Sequence, residues 1–352
     1  MPPVPVHGAH SLVRPDRVEL GAAYVARLTK ALVAGVNSGV VYRRSFVIPG
    51  PDHLLENGPL LFAEFLVGDG PTRILRDNPR LRPNRTHPGG VLVTGRFSHN
   101  YFHFVIDALQ AVCLADRVVQ DAPLITDGRI PPQCRELLEL VAPGREIVTV
   151  PPGEFWRFDE LYLSSTGSFC PDVAELAPLV TVETRLLPEV RERLQAVTAR
   201  ERDDVLYVSR RHHLEANAGR PFVQKRDVVN SLELEDYVES IGGTVVFPEE
   251  LSGADQVRTF AAARIVIAPA GAAIANVCYC APGTTIITLQ RNAGTNPWYF
   301  APLAPALGLD WHFAAGDGVA GGHDEQFHAS YRVELDTLKS ALQSSSAASL
   351  VP

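Results

Sequence analysis

With 352 residues and a mean hydropathy close to zero, the chain has the size and composition of a globular protein with two domains. Its formal net charge of −8 argues against a nucleic-acid partner, because there is no basic surplus to neutralise phosphates. The sequence has neither a basic, apolar and cleavable N-terminal segment nor an apolar run of membrane-spanning length, so we expect a cytoplasmic location without a membrane span.

The first half of the chain alternates between strand and helix patterns. Residues 1–18 are rich in proline and histidine and are expected to be poorly ordered, and residues 19–36 have the composition of a first helix. From Gly90 onward the alternation is regular, which is typical of a parallel sheet with helices on its faces. We assign an N-terminal domain to 19–199. Its predicted strands are 91–95, 123–126, 146–150 and 160–164, and its predicted helices are 99–118, 133–141 and 174–199.

A second alternation predicts a C-terminal domain over 200–342, followed by a frayed tail at 343–352. The last two predicted strands are apolar on successive residues, as in parallel strands covered on both faces. Two Rossmann-like α/β units in tandem leave a cleft at the carboxyl ends of their strands, where ligands bind. The predicted strands are 205–209, 244–247, 264–269 and 284–289, and the predicted helices are 227–241 and 254–263.

The turn between the last two strands is a candidate phosphate site. Pro269, Ala270, Gly271 and Ala272 are small enough for the backbone to approach a ligand, and a helix is predicted to begin there. Helix N-termini after such turns hold nucleotide phosphates in α/β proteins. The turn has no side chain for acid–base chemistry, so catalytic groups must come from elsewhere.

The predicted helix 99–118 is the best candidate for those groups. It is apolar almost all round, yet His99, His103, Asp107 and Gln110 share one face, with Asn100 beside them. His103 and Asp107 at i,i+4 spacing can hydrogen-bond, which would orient the imidazole as a general base requires. The alternative is a satisfied structural network inside the N-terminal domain.

A second candidate site follows the predicted strand 205–209. Ser209, Arg210 and Arg211 are expected at the carboxyl end of that strand, where guanidinium groups suit a diphosphate. The alternative is a solvated basic loop with surface ion pairs.

We predict no metal centre and no cofactor. The sequence contains no Asp-x-Asp pair of the kind that commonly holds a divalent ion on a sugar nucleotide, and its five cysteines lack metal-site spacing.

Three motifs resemble one known family. They are HNYFHFVIDAL at 99–109, YVSRR at 207–211 with Arg220 downstream, and PEELSGADQVRTFAAARIVIAPAGAAIAN at 248–276. Together they resemble, over roughly residues 90–305, the glycosyltransferases of family 61, also described as DUF563 or capsular polysaccharide biosynthesis proteins. Arginine greatly outnumbers lysine, which is typical of a GC-rich bacterial genome.

The resemblance implies a GT-B fold and an inverting, metal-independent transfer of a sugar from a nucleotide donor to an acceptor hydroxyl. The donor would be a UDP-sugar, and the acceptor a glycan or a small molecule. The C-terminal domain would bind the donor, and the N-terminal domain would offer the acceptor site, with His99 and Asn100, and the base. Carried over by position, Asp107 or His103 is the base. The expected donor-binding residues are Ser209, Arg210, Arg211, Gly271, Ala272 and Asn276.

The chain departs from the family pattern on the donor side. Ala270 stands where the family has histidine, Gln224 and Lys225 replace an Asn-Glu pair, and Thr288 replaces an acidic residue. The Gly-Leu-Thr before the final asparagine is Ala-Ile-Ala at 273–275. Two interpretations follow: an active transferase with altered donor binding, and a degenerate member that binds a nucleotide or a partner without transfer.

Overall fold

The structure, a computed structural model, describes residues 24–35, 38–42, 82–95, 98–164, 188–194, 205–218, 227–292, 300, 303–319 and 330–345, with the backbone alone at 6–7, 45–47, 66–67, 74–75 and 187. The strands are β1 Val6–His7, β2 Val25–Ala34, β3 Val40–Tyr42, β4 Ser45–Val47, β5 Leu66–Val67, β6 Ile74–Leu75, β7 Arg85–Leu92, β8 Leu124–Asp127, β9 Ile147–Val150, β10 Phe155–Ser164, β11 Val205–Val208, β12 Thr244–Val246, β13 Ile265–Pro269, β14 Thr285–Arg291, β15 Asp310–Gly318 and β16 Tyr331–Arg332.

The helices include one π-helical segment and two 3-10 helices among the described residues. The α-helices are α1 Tyr101–His103, α2 Leu109–Asp116, α3 Pro132–Val141, α4 Leu187–Leu194, α5 Arg211–Ala216, α6 Ser231–Ser240, α7 Gly253–Ala262, α8 Leu303–Leu307 and α9 Leu335–Ser344. The π-helical segment is Phe104–Ala108, and the 3-10 helices are Pro248–Glu250 and Ala272–Tyr279.

The chain divides into two compact units. The N-unit comprises Val18–Asp172 and Glu183–Val190, and the C-unit comprises Met1–Arg17, Val173–Val182 and Arg191–Pro352. The predicted boundary at 199/200 and the predicted poorly ordered 1–18 stay predictions, because most of these residues lie outside the described part. Within residues 1–18, strand β1 pairs in parallel with β15 of the C-unit.

The N-unit is built on a seven-stranded sheet in the order β4-β3-β2-β10-β7-β8-β9. The strands β10, β7, β8 and β9 run parallel, as the βαβ pattern predicts, whereas β2, β3 and β4 add antiparallel pairs. This sheet is therefore mixed rather than wholly parallel. Its inner face contributes Val33, Leu92, Ile125 and Phe158 to one hydrophobic cluster, which holds the strands in register.

The predicted first helix at 19–36 is wrong, because Val25–Ala34 forms strand β2. Its sequence, VARLTKALVA, is rich in good helix formers, which is the reason for the error. In the structure β2 lies between β10 and β3, and it pairs with β10 along nearly its whole length. Ala31 and Val33 pack in the core of the sheet. Tertiary pairing and burial therefore override the local helix propensity.

The C-unit contains the two buried parallel strands that the sequence predicts at 264–269 and 284–289. Both β13 and β14 are found where the apolar runs predict them, and they are parallel neighbours with Pro269 opposite Leu289. Counted from β11, the five main strands lie in the order 2-1-3-4-5, with the two-residue strand β1 beyond β15. On one face of this sheet, α6 and α9 pack their apolar side chains against Tyr207, Ile267 and Ile287. The sequence did not predict β15 and α9, and α9 extends two residues into the segment expected to be a frayed tail.

The strand order locates a ligand-binding position in the C-unit. Between β11 and β13 the order reverses, because the chain leaves β11 toward β12 and then returns past it to β13. In open α/β sheets, ligands bind outside the carboxyl ends of the strands at such a switch point. The residues immediately beyond these two strands are Ser209-Arg210 and Ala270-Gly271, two of the predicted donor-binding segments.

Candidate functional site

In the N-unit, the helix that carries His103 and Asp107 is interrupted. It begins with one α-helical turn, α1, in which the side chain of Asn100 caps the helix by accepting from Phe102 N–H at 3.0 Å. It then widens into the π-helical segment Phe104–Ala108, where Leu109 N–H bonds to Phe104 O, and continues as α2. Single π-helical turns inside α-helices are frequent at functional sites. Asp107 lies within this segment.

His103 and Asp107 form the predicted pair. Nδ1 of His103 is 3.3 Å from Oδ2 of Asp107, and the two side chains are 13% and 27% exposed on a helix whose other side chains are mostly buried. With the carboxylate at Nδ1, the ring nitrogen Nε2 is the atom that can take up a proton. The pair therefore has the geometry of a carboxylate-oriented general base.

The other polar residues predicted on or beside this helix face have separate environments. Gln110 is buried, and its amide donates to Ile106 O at 2.5 Å, one turn earlier in its own helix. Asn100 serves as the helix cap, and His99 is exposed in the preceding turn. The acceptor-site roles expected of His99 and Asn100 stay predictions, and the cap already gives the side chain of Asn100 a structural function.

A buried polar network that sequence reasoning missed lies at the carboxyl ends of β7 and β8. Asp127 ends β8 with its side chain fully buried, and its Oδ2 accepts from Ser38 Oγ at 3.2 Å. Thr94, just beyond β7, bonds through Oγ1 to Ser38 Oγ at 2.6 Å and accepts from Asp127 N at 3.0 Å. Arg129 N–H donates to Asp127 Oδ1 at 2.9 Å. The network fixes the start of the connection from β7 to the His103 helix. Ser38 and Asp127, which are bonded in this network, lie 89 positions apart, so no local pattern signals it.

In the C-unit, Arg210 and Gly271 meet at the switch point. A Cβ atom on Gly271 would lie 3.5 Å from Nη1 and 3.6 Å from Cζ of Arg210, so the guanidinium packs directly over the glycine. The φ of Gly271 is 175°, which any residue adopts, so the small side chain matters here for close approach rather than for backbone conformation. Arg210 and Gly271 are therefore close neighbours in the C-unit.

Acidic groups lie near Arg210. Burial lowers the pKa of its guanidinium, and this effect is opposed by Tyr331, Asp227 and Glu249. Conversely, burial raises the pKa of Asp227, and the positive charge of Arg210 opposes that shift. Burial and then Arg210 lower the pKa of His213. Arg210 is thus a partly desolvated cation, and in such a setting an anionic ligand interacts strongly.

Arg211 forms a bidentate ion pair. It donates from Nε and Nη2 to both carboxylate oxygens of Glu235 at 2.8 to 3.1 Å. The same carboxylate, which is 5% exposed, accepts from Ser209 Oγ at 2.8 Å and from Ser231 Oγ at 3.1 Å. Ser209 and Arg211 therefore belong to one hydrogen-bonded network around Glu235, and their predicted contact with the donor stays a prediction. Sequence alone could not separate Arg210 from Arg211, because Glu235 is 24 positions from Arg211.

The phosphate turn has backbone donors but few polar side chains. The helix that follows it is 3-10 rather than α, and no side chain of the described residues caps its N-terminus at Gly271. The amides of Ala272 and Ala273 precede the first bond of this helix, which Ile274 N–H donates to Gly271 O at 3.1 Å, so they have no partner within the helix itself. Asn276 is fully buried and donates to Gln256 Oε1 at 3.0 Å. It links the 3-10 helix to α7, and its predicted donor contact stays a prediction.

The remaining predicted features are accounted for as follows. Arg220, Gln224 and Lys225 lie outside the described residues. Ala270 and Thr288 are buried in the C-unit sheet. Within the described part of the chain, no group of three or more His, Cys, Asp or Glu side chains is arranged to hold a metal ion, and no helix is long and apolar enough to cross a membrane.

A comparison with models of protein families gives a match. The sequence model of the family described as Glycosyltransferase 61 matches residues 101–287, more than half of the chain. The matched region begins with the His103 helix and contains both the Arg210 loop and the turn at Gly271. A search of the curated proteins found no match.

Proposed function

Because the chain belongs to glycosyltransferase family 61, we propose that it transfers a sugar from a nucleotide donor, a UDP-sugar, to a hydroxyl group of a glycan or small-molecule acceptor. Transfer is a single inverting displacement that needs no metal. A GT-B architecture and a cytoplasmic location in a bacterium are part of the same proposal. The mainly parallel sheet in each unit supports the architecture.

The contact between Arg210 and Gly271 is the observation that carries the proposal. Displacement at the anomeric carbon releases a nucleoside diphosphate, whose negative charge must be stabilised as the bond breaks. The guanidinium fork of Arg210 and the first-turn amides of Ala272–Tyr279 lie at the switch point of the C-unit sheet, and both are suited to phosphate oxygens. A fixed cation and fixed amides can take the role that a divalent ion has in other transferases.

The His103–Asp107 pair supplies the base. The acceptor hydroxyl must lose its proton as it attacks, and Nε2 of His103, oriented by Asp107, can receive that proton. Positioned general bases of this kind contribute roughly 10²- to 10⁴-fold to rate.

The alternative is a family member that binds a nucleotide without transfer. Ala270 favours it, because a buried methyl group there cannot contact a phosphate through a hydrogen bond. Loss of one hydrogen bond to a charged group costs about 1.5–3 kcal/mol, which weakens donor binding without removing it. The retained His103–Asp107 pair favours the transferase.

One pair of experiments tests both interpretations. A thermal-shift screen of nucleoside diphosphates and nucleotide sugars at millimolar concentration should identify a stabilising ligand, since a ligand at 100 times its Kd adds about 2.7 kcal/mol to stability. The nucleotide sugar found in this way is then assayed for nucleotide release, with water or an added glycan as acceptor.

We expect Asp107→Asn and His103→Gln to lower release by about 10²-fold or more while nucleotide affinity stays within twofold. Arg117→Gln, at an exposed arginine just after α2, is the control and should change neither. Binding without any release by the unmodified protein would support the alternative. Unchanged release by both variants would disprove the assignment of the base.

A further inference from the structure

The C-unit sheet buries a polar side chain whose amide nitrogen has no partner. Gln290 on β14 is 1% exposed, and among the described residues its Nε2 makes no hydrogen bond. Buried amide groups in native proteins are nearly always hydrogen-bonded, so an exception calls for an explanation such as a ligand.

The position of Gln290 follows from the ladder between β13 and β14. Ala270 N–H donates to Leu289 O at 2.8 Å, which continues the parallel pairing one residue beyond Pro269 and sets Ala270 beside Gln290. On its other side Gln290 pairs with Ala315 of β15. Paired positions on neighbouring strands share a face and lie about 4.8 Å apart. Both flanking side chains are therefore methyl groups, and neither can accept from the amide.

The same register brings Gln290 to the candidate phosphate turn. Ala270 is followed directly by Gly271, against which the Arg210 guanidinium packs and from which the 3-10 helix begins. Gln290 thus lies beside Ala270. The next residue along the chain is Gly271, which contacts Arg210 and precedes the first amides of the 3-10 helix. Its neighbours have no side-chain atom beyond Cβ, so rotation of the long glutamine side chain toward the turn meets no side chain at either paired position.

We propose that Gln290 donates a hydrogen bond from Nε2 to an oxygen of the diphosphate of the nucleotide donor, and that this contact is a determinant of donor affinity. The inference rests on the proposed function, in which the C-unit binds a nucleotide sugar. The neighbouring strand thereby supplies a polar contact that position 270, an alanine, does not. Because Nε2 is covered by the protein itself, the side chain rotates toward the turn when the diphosphate binds.

Gln290→Met separates this role from a structural one. Methionine has nearly the same shape and no amide, and replacing an unpaired buried polar group by an apolar one is neutral or stabilising. We expect an unchanged or higher Tm together with about tenfold weaker binding of the nucleoside diphosphate, the factor that corresponds to 1.4 kcal/mol. The probe is whichever of UDP, GDP, ADP, CDP and dTDP stabilises the unmodified protein most, and its Kd is measured by titration calorimetry.

Thr285→Val is the matched control, because Thr285 is buried at the opposite end of the same strand, about 16 Å away. It should leave the Kd unchanged. A second variant, Gln290→Leu, repeats the measurement with a different apolar shape. The corresponding nucleoside without phosphates should bind the methionine variant and the unmodified protein equally well.

The outcomes are distinguishable. If the unmodified protein binds none of the five diphosphates, the proposed function and this inference both fail. If it binds one and Gln290→Met binds it equally well, only the inference fails. A fall in Tm with both the methionine and the leucine variants would mean that the amide has an internal partner, and equal weakening for the nucleoside would place the contact away from the diphosphate. Either result overturns the inference.

Discussion

Enlarging the side chain at position 271 tests the proposed phosphate site, because the distance between this position and Arg210 limits the size of the side chain that fits. A Cβ at this position lies 3.5 Å from Nη1 of Arg210, which is ordinary van der Waals contact, and the extended backbone there accepts any residue. Gly271→Ala should therefore fold normally. Its stability should be unchanged or higher by about 0.4–1 kcal/mol, because alanine restricts the unfolded chain more than glycine does.

Gly271→Val is the informative variant. Its methyl groups extend about 1.5 Å beyond Cβ, a length similar to that of other carbon single bonds in the chain, and would enter the space of the guanidinium. Arg210 must then move. Since a hydrogen bond to a charged group contributes about 1.5–3 kcal/mol, we expect the Kd for the nucleoside diphosphate to rise about 10- to 150-fold. Arg210→Met should have an effect of similar size.

Combining Gly271→Val with Arg210→Met shows whether both substitutions weaken binding through the same contact. If the valine introduced at position 271 weakens binding by displacing Arg210, the double variant Gly271→Val/Arg210→Met binds about as well as either single variant, and the coupling energy approaches the full single-variant effect. Calorimetric Kd values for the four proteins give this number directly. Effects that add to within about 0.5 kcal/mol would refute the reasoning, because additivity indicates independent sites.

Three further changes test other parts of the structure by thermal or denaturant unfolding. Glu235→Gln should lower the free energy of unfolding by about 1–3 kcal/mol, since a buried carboxylate with several hydrogen bonds is lost. The control is Arg258→Gln, which removes an exposed ion pair and should lower the free energy of unfolding by less than about 0.5 kcal/mol. Thr94→Val should cost about 1–3 kcal/mol by removing the partner of Asp127 N–H. The folded-state pKa of His213 is lowered, so the unfolded chain binds more protons and stability falls as pH drops through the range below 6.5. His213→Gln should make the decline in Tm between about pH 7 and pH 5 smaller, and an unchanged slope would contradict the assignment.

Local sequence patterns were sufficient to predict parts of the fold and of the candidate site. Strands β13 and β14 are consecutive β-branched runs, and the His103–Asp107 contact follows from i,i+4 spacing on one helix, so both were predictable. Strand β2 was not, because its helix-forming residues are held extended by pairing along nearly their whole length with β10, which is distant in sequence.

The direction of polar side chains was the least predictable feature. Two adjacent arginines follow β11, and only the folded chain shows that Arg211 pairs with Glu235 and that Arg210 packs against Gly271. Asn276 occupies the place of the family asparagine, but its amide is turned to Gln256 inside the unit. Such partners are chosen by tertiary packing, so residue type and spacing alone do not reveal them.

The backbone of the phosphate turn explains how the chain can lack the family histidine and still keep the site. Ala270 N–H bonds to Leu289 O, so the end of β13 is held by the sheet ladder whatever side chain stands at this position. The Arg210 guanidinium packs against Gly271, and the amides beyond Gly271 belong to the 3-10 helix, so neither contact is made through the side chain at 270. A change at 270 therefore removes a contact while leaving the arrangement of the others intact. On the proposed function, the expected consequence is weaker donor binding with preserved geometry. A member that binds a nucleotide without transfer would share this consequence, and the retained His103–Asp107 pair is what favours the transferase.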